Sequence, residues 1–218
     1  MNSSCQKSNV VFFHCSFRAA LALIAIVGTS FVTTNAHAEL YWTPWVSEEN
    51  GGPPTYCGVW NEASVGFACS GGYCDNVSLL CETLPFNATL NSASEYWTAF
   101  FSEEDRGVSS VTSEGWYRYD GDNYEVCHRS GNPGLVSGIK CKGSYCDNIS
   151  LKCAQPIKWK NGISYPVQVN NCQWSGWYSE EQRSVDFGPN RYITGVRCQG
   201  GYCDNKQFYV CSLIDPAP

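Results

Sequence analysis

Hydrophobic and polar positions alternate with a period of two in three stretches of the chain. Gly66-Phe-Ala-Cys69, Gly138-Ile-Lys-Cys141 and Gly195-Val-Arg-Cys198 each run into Gly-Gly or Gly-Ser, then Tyr-Cys-Asp-Asn, then a second alternating run ending at Cys81, Cys153 or Cys211. Such alternation argues half-buried strands, and the glycine-rich step between them supplies a turn with positive φ. No stretch beyond residue 38 carries a capped 3.6-residue apolar stripe, so the pattern predicts antiparallel hairpins and no long helix. The third return strand is one residue longer over 206–210. Either a bulge absorbs the extra residue, or the side chains beyond it change face.

A second motif precedes each hairpin. Trp42-Thr-Pro-Trp45-Val-Ser-Glu48-Glu49 recurs as Trp97-Thr-Ala-Phe100-Phe-Ser-Glu103-Glu104 and as Trp174-Ser-Gly-Trp177-Tyr-Ser-Glu180-Glu181. Two linked motifs repeated three times in one order define three copies of a unit, 39–90, 91–155 and 156–218, in a single domain over 39–218. The expected fold is all-β with pseudo-threefold symmetry, β-prism-like, with a β-trefoil as the alternative. The middle copy carries an insertion between Asp105 and Val136, and the stretches 82–94 and 154–171, with Pro85, Pro156 and Pro166, read as links between copies.

The first 38 residues are a different kind of sequence. Lys7 and Arg18 precede an apolar run over 19–28, and Ala36-His37-Ala38 closes the segment, which reads as a cleaved secretory signal peptide. The apolar run is too short to span a membrane, so a secreted protein is expected, with a periplasmic stage in a bacterium. Cys5 and Cys15 leave with that segment. The remaining twelve cysteines (Cys57, Cys69, Cys74, Cys81, Cys127, Cys141, Cys146, Cys153, Cys172, Cys198, Cys203 and Cys211) read as six disulfides, most simply two per copy. Cross-copy bridges stay open, because Cys57 and Cys127 follow their Glu pairs whereas Cys172 precedes its own. The net charge of −6 becomes −8 without Lys7 and Arg18, which disfavours nucleic acid and anionic membranes. His128 is the one histidine left, and it reads as a lone surface residue.

Several polar groups are candidates for chemistry. The pairs Asp75-Asn76, Asp147-Asn148 and Asp204-Asn205 suit calcium or paired sugar hydroxyls, or else an Asx turn in which Asp bonds its own backbone. Asn76, Asn87 and Asn148 also begin N-x-Ser/Thr sequons. The Ser-Glu-Glu triplets read as Ser-led turns or polar strand ends, since adjacent strand residues face opposite ways. The matching tryptophans read as core. In the insertion, Trp116, Tyr117, Tyr119, Asp120, Asp122, Asn123 and Tyr124 set aromatic rings among carboxylates and amides, the composition of a sugar site. Neither a cofactor nor catalysis is expected from this inventory.

Three Trp-led, disulfide-bonded copies resemble the vitelline membrane outer layer protein family, the likeness resting on Trp42, Trp97 and Trp174 and on the runs 75–81, 147–153 and 204–211. The resemblance implies a secreted threefold β-prism that binds carbohydrate. A lectin-like protein recognising extracellular glycans is therefore the leading expectation. An exported effector that binds a host protein is the first alternative. A glycoside hydrolase using Glu103, Glu104, Asp120 or Asp122 is the second.

Overall fold

The computed structural model describes residues 39–50, 52–102, 124–129 and 132–215. The signal peptide read over 1–38 lies outside them, as do Glu103, Glu104, Trp116, Tyr117, Tyr119, Asp120, Asp122 and Asn123. The described chain is all-β. Its helical turns are three-residue 3-10 segments, and no helix is long and apolar enough to cross a membrane.

Three antiparallel hairpins form where the alternation predicts them. Glu62–Ser70 pairs with Asn76–Thr83, Leu135–Lys142 with Asn148–Ala154, and Tyr192–Gln199 with Asn205–Ile214. Each hairpin is the middle of its own sheet. The return strand pairs with the Trp-bearing segment of the same copy: Tyr41–Trp42 and Val46–Ser47, Tyr96–Trp97, and Gln168–Tyr178. The outgoing strand pairs with a strand from another copy. Thr55–Tyr56 of the first copy joins the second hairpin, Tyr124–Val126 of the second joins the third, and Ser184–Asp186 of the third joins the first. The edge exchange closes into a ring.

A glycine in each outgoing strand makes that exchange possible. A β-bulge precedes Gly66, Gly138 and Gly195 in the same way in all three hairpins. A Cβ on Gly138 would lie 2.9 Å from the Thr55 carbonyl oxygen, and one on Gly195 would lie 2.7 Å from that of Glu125. On Gly66 it would collide with the Val185 carbonyl. The visiting edge strand thus crosses backbone to backbone, at a distance only glycine permits.

The Trp segment is docked by a second recurring device. The hydroxyl after each tryptophan accepts a backbone N–H of the return strand: Thr43 from Leu79 (3.0 Å), Thr98 from Leu151 (2.9 Å) and Ser175 from Phe208 (3.0 Å). Ser78 and Ser150 answer by donating to the carbonyls of Thr43 and Thr98 at 2.7 and 2.8 Å, while Gln207 does so to Ser175. Thr43, Ser78, Thr98, Ser150 and Gln207 are buried and Ser175 half-buried, so each reciprocal pair supplies a ladder partner that an edge strand would otherwise lack.

The inward positions meet in one core that contains Phe67, Leu79, Ile139, Leu151, Val196 and Phe208, with Phe67 and Phe208 rings 4.8 Å apart. All twelve cysteines between 57 and 211 are paired, two bridges to a copy: Cys57–Cys81 with Cys69–Cys74, Cys127–Cys153 with Cys141–Cys146, and Cys172–Cys211 with Cys198–Cys203. The anomalous place of Cys172 follows from the longer third strand. Val210 stands opposite Ile193 as Cys81 stands opposite Ser64, and it takes the core position that Cys81 and Cys153 hold. Cys211 falls one position later, on the other face, where a bulge in Gln168–Tyr178 brings Cys172 to it. The face changes, as one of the two expected outcomes required.

The link regions are more than links. Ala88–Leu90, Pro156–Lys160 and Ile163–Pro166 form a three-stranded sheet over a second core of Leu84, Leu90, Leu135, Tyr192 and Leu213.

Replacing Gly66 with Val should displace the Ser184–Asp186 edge and lower unfolding free energy by about 1–3 kcal/mol, the usual cost of overpacking. Denaturant unfolding of the oxidised protein measures it, and a variant as stable as the parent would contradict the close crossing.

Candidate functional site

The repeated Tyr-Cys-Asp-Asn turns adopt one conformation three times. Positive φ belongs to Gly71, Gly143 and Gly200 (78°, 80° and 82°) but not to the second Gly or Ser of the pair. It continues instead at Tyr73, Tyr145 and Tyr202 (57°, 59° and 60°) and at the cysteines after them. Bulky residues rarely hold such a backbone, and here each tyrosine lies within a Cys-x4-Cys bridge. The conformation turns the three tyrosine rings onto one another, with centroids 5.0 to 5.2 Å apart.

The Asp-Asn pairs serve that turn. Asn76 Nδ2 donates to Asp75 Oδ1 at 2.5 Å, Asn148 to Asp147 at 2.7 Å and Asn205 to Asp204 at 3.4 Å. Asp75 and Asp147 lie against the space left by the missing Cβ of Gly71 and Gly143. The first glutamate of each described triplet caps the turn of another copy. Glu48 Oε1 accepts the Tyr145 N–H at 2.8 Å, and the Glu180 carboxyl, held below the usual carboxylate range first by its bond with Asp204, also takes the Tyr73 N–H. The serine leads a local turn, with Ser47 Oγ accepting from the Glu49 N–H at 3.2 Å and Ser179 Oγ from that of Glu181 at 3.4 Å. Among the described acids, Asp75, Asp147 and Asp204 are thus engaged by the adjacent asparagine amide, and Glu48 by the backbone N–H of another copy's turn.

The third turn differs electrostatically. Lys206 stands where the other copies have Val77 and Ile149; it is fully buried and donates to the Cys203 carbonyl at 2.7 Å. Glu180 Oε2 and Asp204 Oδ1 lie beside it, buried and without an ordinary donor. Burial, and then the neighbouring Glu180 carboxyl, push Asp204 up to about 6. Glu180 is held low, first by its bond with Asp204. A proton on Asp204 would satisfy both oxygens, one as donor and the other as acceptor. These groups and Cys74 lie within 4.8 Å of one another, but the Cys74 sulfur is committed to a disulfide, which leaves a poor donor set for a metal.

The tryptophans correct an expectation. They line the outer faces of the sheets and are not core: Trp42 is 43% and Trp45 53% exposed, and Trp97 and Trp174 are half-buried. In the second copy Lys140 Nζ lies 4.4 Å from the Trp97 ring and 5.0 Å from Phe100, with Lys142 also over Phe100 at 4.1 Å. In the third, the Arg197 guanidinium lies 4.5 Å from Trp174 and 5.3 Å from Trp177. In the first copy the matching strand residue is Ala68, and the two indoles open onto a cleft of about 680 Å³.

A second aromatic cleft sits on the link sheet. Trp60 is 73% and Trp159 60% exposed, and they wall an open cavity of about 470 Å³ with Asn61, Asn87, Thr89 and Ser92. The sequence reading missed it because neither tryptophan repeats. The available signal was that very fact: a tryptophan without counterparts is not needed by a threefold core.

Of the proposed aromatic loop, Tyr124 alone is described. It begins an edge strand and packs edge-on against Trp174, centroids 5.7 Å apart. His128 is half-buried in the short strand His128–Arg129. No protein-family model, curated protein or solved structure matches the chain.

Because Asp204 has a raised folded value against an unfolded 3.8, its contribution to stability is complete below about pH 4 and is lost as pH rises through about 6. Asp204→Asn removes that term. The stability of the parent relative to this variant should fall across this window; parallel thermal-unfolding curves at every pH would refute the shared proton.

Proposed function

We propose that this is an exported, lectin-like binding protein that takes a neutral glycan in the Trp60–Trp159 cleft. The observation that carries the reading is the pair of highly exposed indoles beside uncharged amide and hydroxyl groups. Sugar rings present C–H faces that stack on indole and hydroxyls that need neutral donors and acceptors, and this cleft offers both. The six disulfides fit a protein that folds in an oxidising compartment.

The cyclic edge exchange and the matching turns support a pseudo-threefold, prism-like arrangement of the three hairpins, in keeping with the resemblance to vitelline membrane outer layer proteins. They also support binding over catalysis. The repeated carboxylates are engaged by backbone N–H groups and by neighbouring amides, which favours scaffolding roles for them. Calcium has no part in this reading: each aspartate of the Asp-Asn pairs is bonded through one oxygen to the adjacent asparagine amide, and the acids near Asp204 are joined by a sulfur already committed to a disulfide.

A glycan array bearing neutral oligosaccharides should give retained ligands. Trp159→Ala should weaken the best of them by roughly tenfold or more, as removal of a central aromatic anchor does. A chelator should leave binding unchanged. An array with no ligand, or ligands indifferent to both Trp60→Ala and Trp159→Ala, would overturn the assignment.

A further inference from the structure

The three copies act as internal controls for one another on their outer faces. Each presents two rings from the Trp-x-x-Trp/Phe segment, and between those rings points one residue of the outgoing strand. That residue is two positions after the bulge glycine: Ala68, Lys140 or Arg197. Where it is Lys140 or Arg197, its cationic head spans both rings at 4.4 and 5.0 Å, or at 4.5 and 5.3 Å. An electron-rich ring face attracts a cation, and indole does so best. The first copy keeps both of its rings as indoles, Trp42 and Trp45, and has given up the cation. Among the described residues no Lys or Arg head stacks on either of them.

We propose that the first-copy cleft between Trp42 and Trp45 binds a lysine or arginine side chain presented by a partner polypeptide. The occupant is specified by the sister copies: the place left by Ala68 is filled there by one alkylammonium and one guanidinium, each carried on a polypeptide. The remaining wall agrees. Ala68 supplies an apolar floor for the methylene stem, and Ser70 and Ser184 supply hydroxyls. Arg183 stands on the rim with an exposed side chain, and its backbone carbonyl is held by the Cys69 N–H at 2.9 Å. The chain's net charge of −6 favours approach of a basic partner. This site is separate from the neutral glycan cleft, and neither reading depends on the other.

The test is nuclear magnetic resonance of the full oxidised chain, following assigned indole N–H signals. Titration with the peptides Gly-Lys-Gly and Gly-Arg-Gly should move the Trp42 and Trp45 signals, whereas Gly-norleucine-Gly should not. Ala68→Lys installs the cation of the sister copies and should weaken the response about tenfold, on the scale of one cation–π contact. Ala68→Ser, which adds no charge, should retain it. The reciprocal variant Lys140→Ala should make the Trp97 signal newly responsive, which tests the idea even if Ala68→Lys fails to fold. Equal shifts with the norleucine peptide would overturn the proposal. So would no shift with either basic peptide in both the parent and Arg183→Ala, or a response confined to glucosamine oligomers.

Discussion

The architecture depends on a close backbone crossing repeated three times. Each hairpin borrows its outer edge from a different copy, and the loan is possible only where a glycine follows a bulge and leaves room for the visiting carbonyl. From that crossing follow the ring of exchanged strands, the convergence of Phe67, Ile139, Val196 and their partners on one core, and the absence of a bare edge beside each outgoing strand. Of the six disulfides, three close the hairpin turns and three tie each return strand to a segment of its own copy.

Much of this was legible in the chain. Alternation marked the hairpins, glycine and Asp-Asn marked the turns, and cysteine parity marked the bridges, because all three report local backbone needs. The partners of the edge strands were not legible. Thr55–Tyr56, Tyr124–Val126 and Ser184–Asp186 are two or three residues long, too short to show a period, and they differ in sequence. The role of the hydroxyl in Trp-Thr and Trp-Ser was visible as a repeat but not as a reciprocal bond, since its partner lies more than thirty residues away. The tryptophans were misread for a related reason: recurrence in three copies fits a shared outer device as well as a shared interior, and only the facing strand residue tells them apart.

Repetition and divergence divide the labour. Positions that match in all copies, such as the bulge glycines and the turn tyrosines, build the frame. Positions that vary, Ala68 against Lys140 and Arg197, or Lys206 against Val77 and Ile149, modify it locally without disturbing the frame. A scaffold of this kind tolerates change on its outer faces because its stability is vested in the crossing points and the cross-links.

The contact of Tyr73, Tyr145 and Tyr202 has a dynamic corollary. Each ring leans on the other two, and each sits on a backbone that would relax to an ordinary conformation if released. Opening any one of the three loops strips its neighbours of their packing, so this end of the molecule is expected to open as one cooperative unit, its amides exchanging together although they lie far apart along the chain.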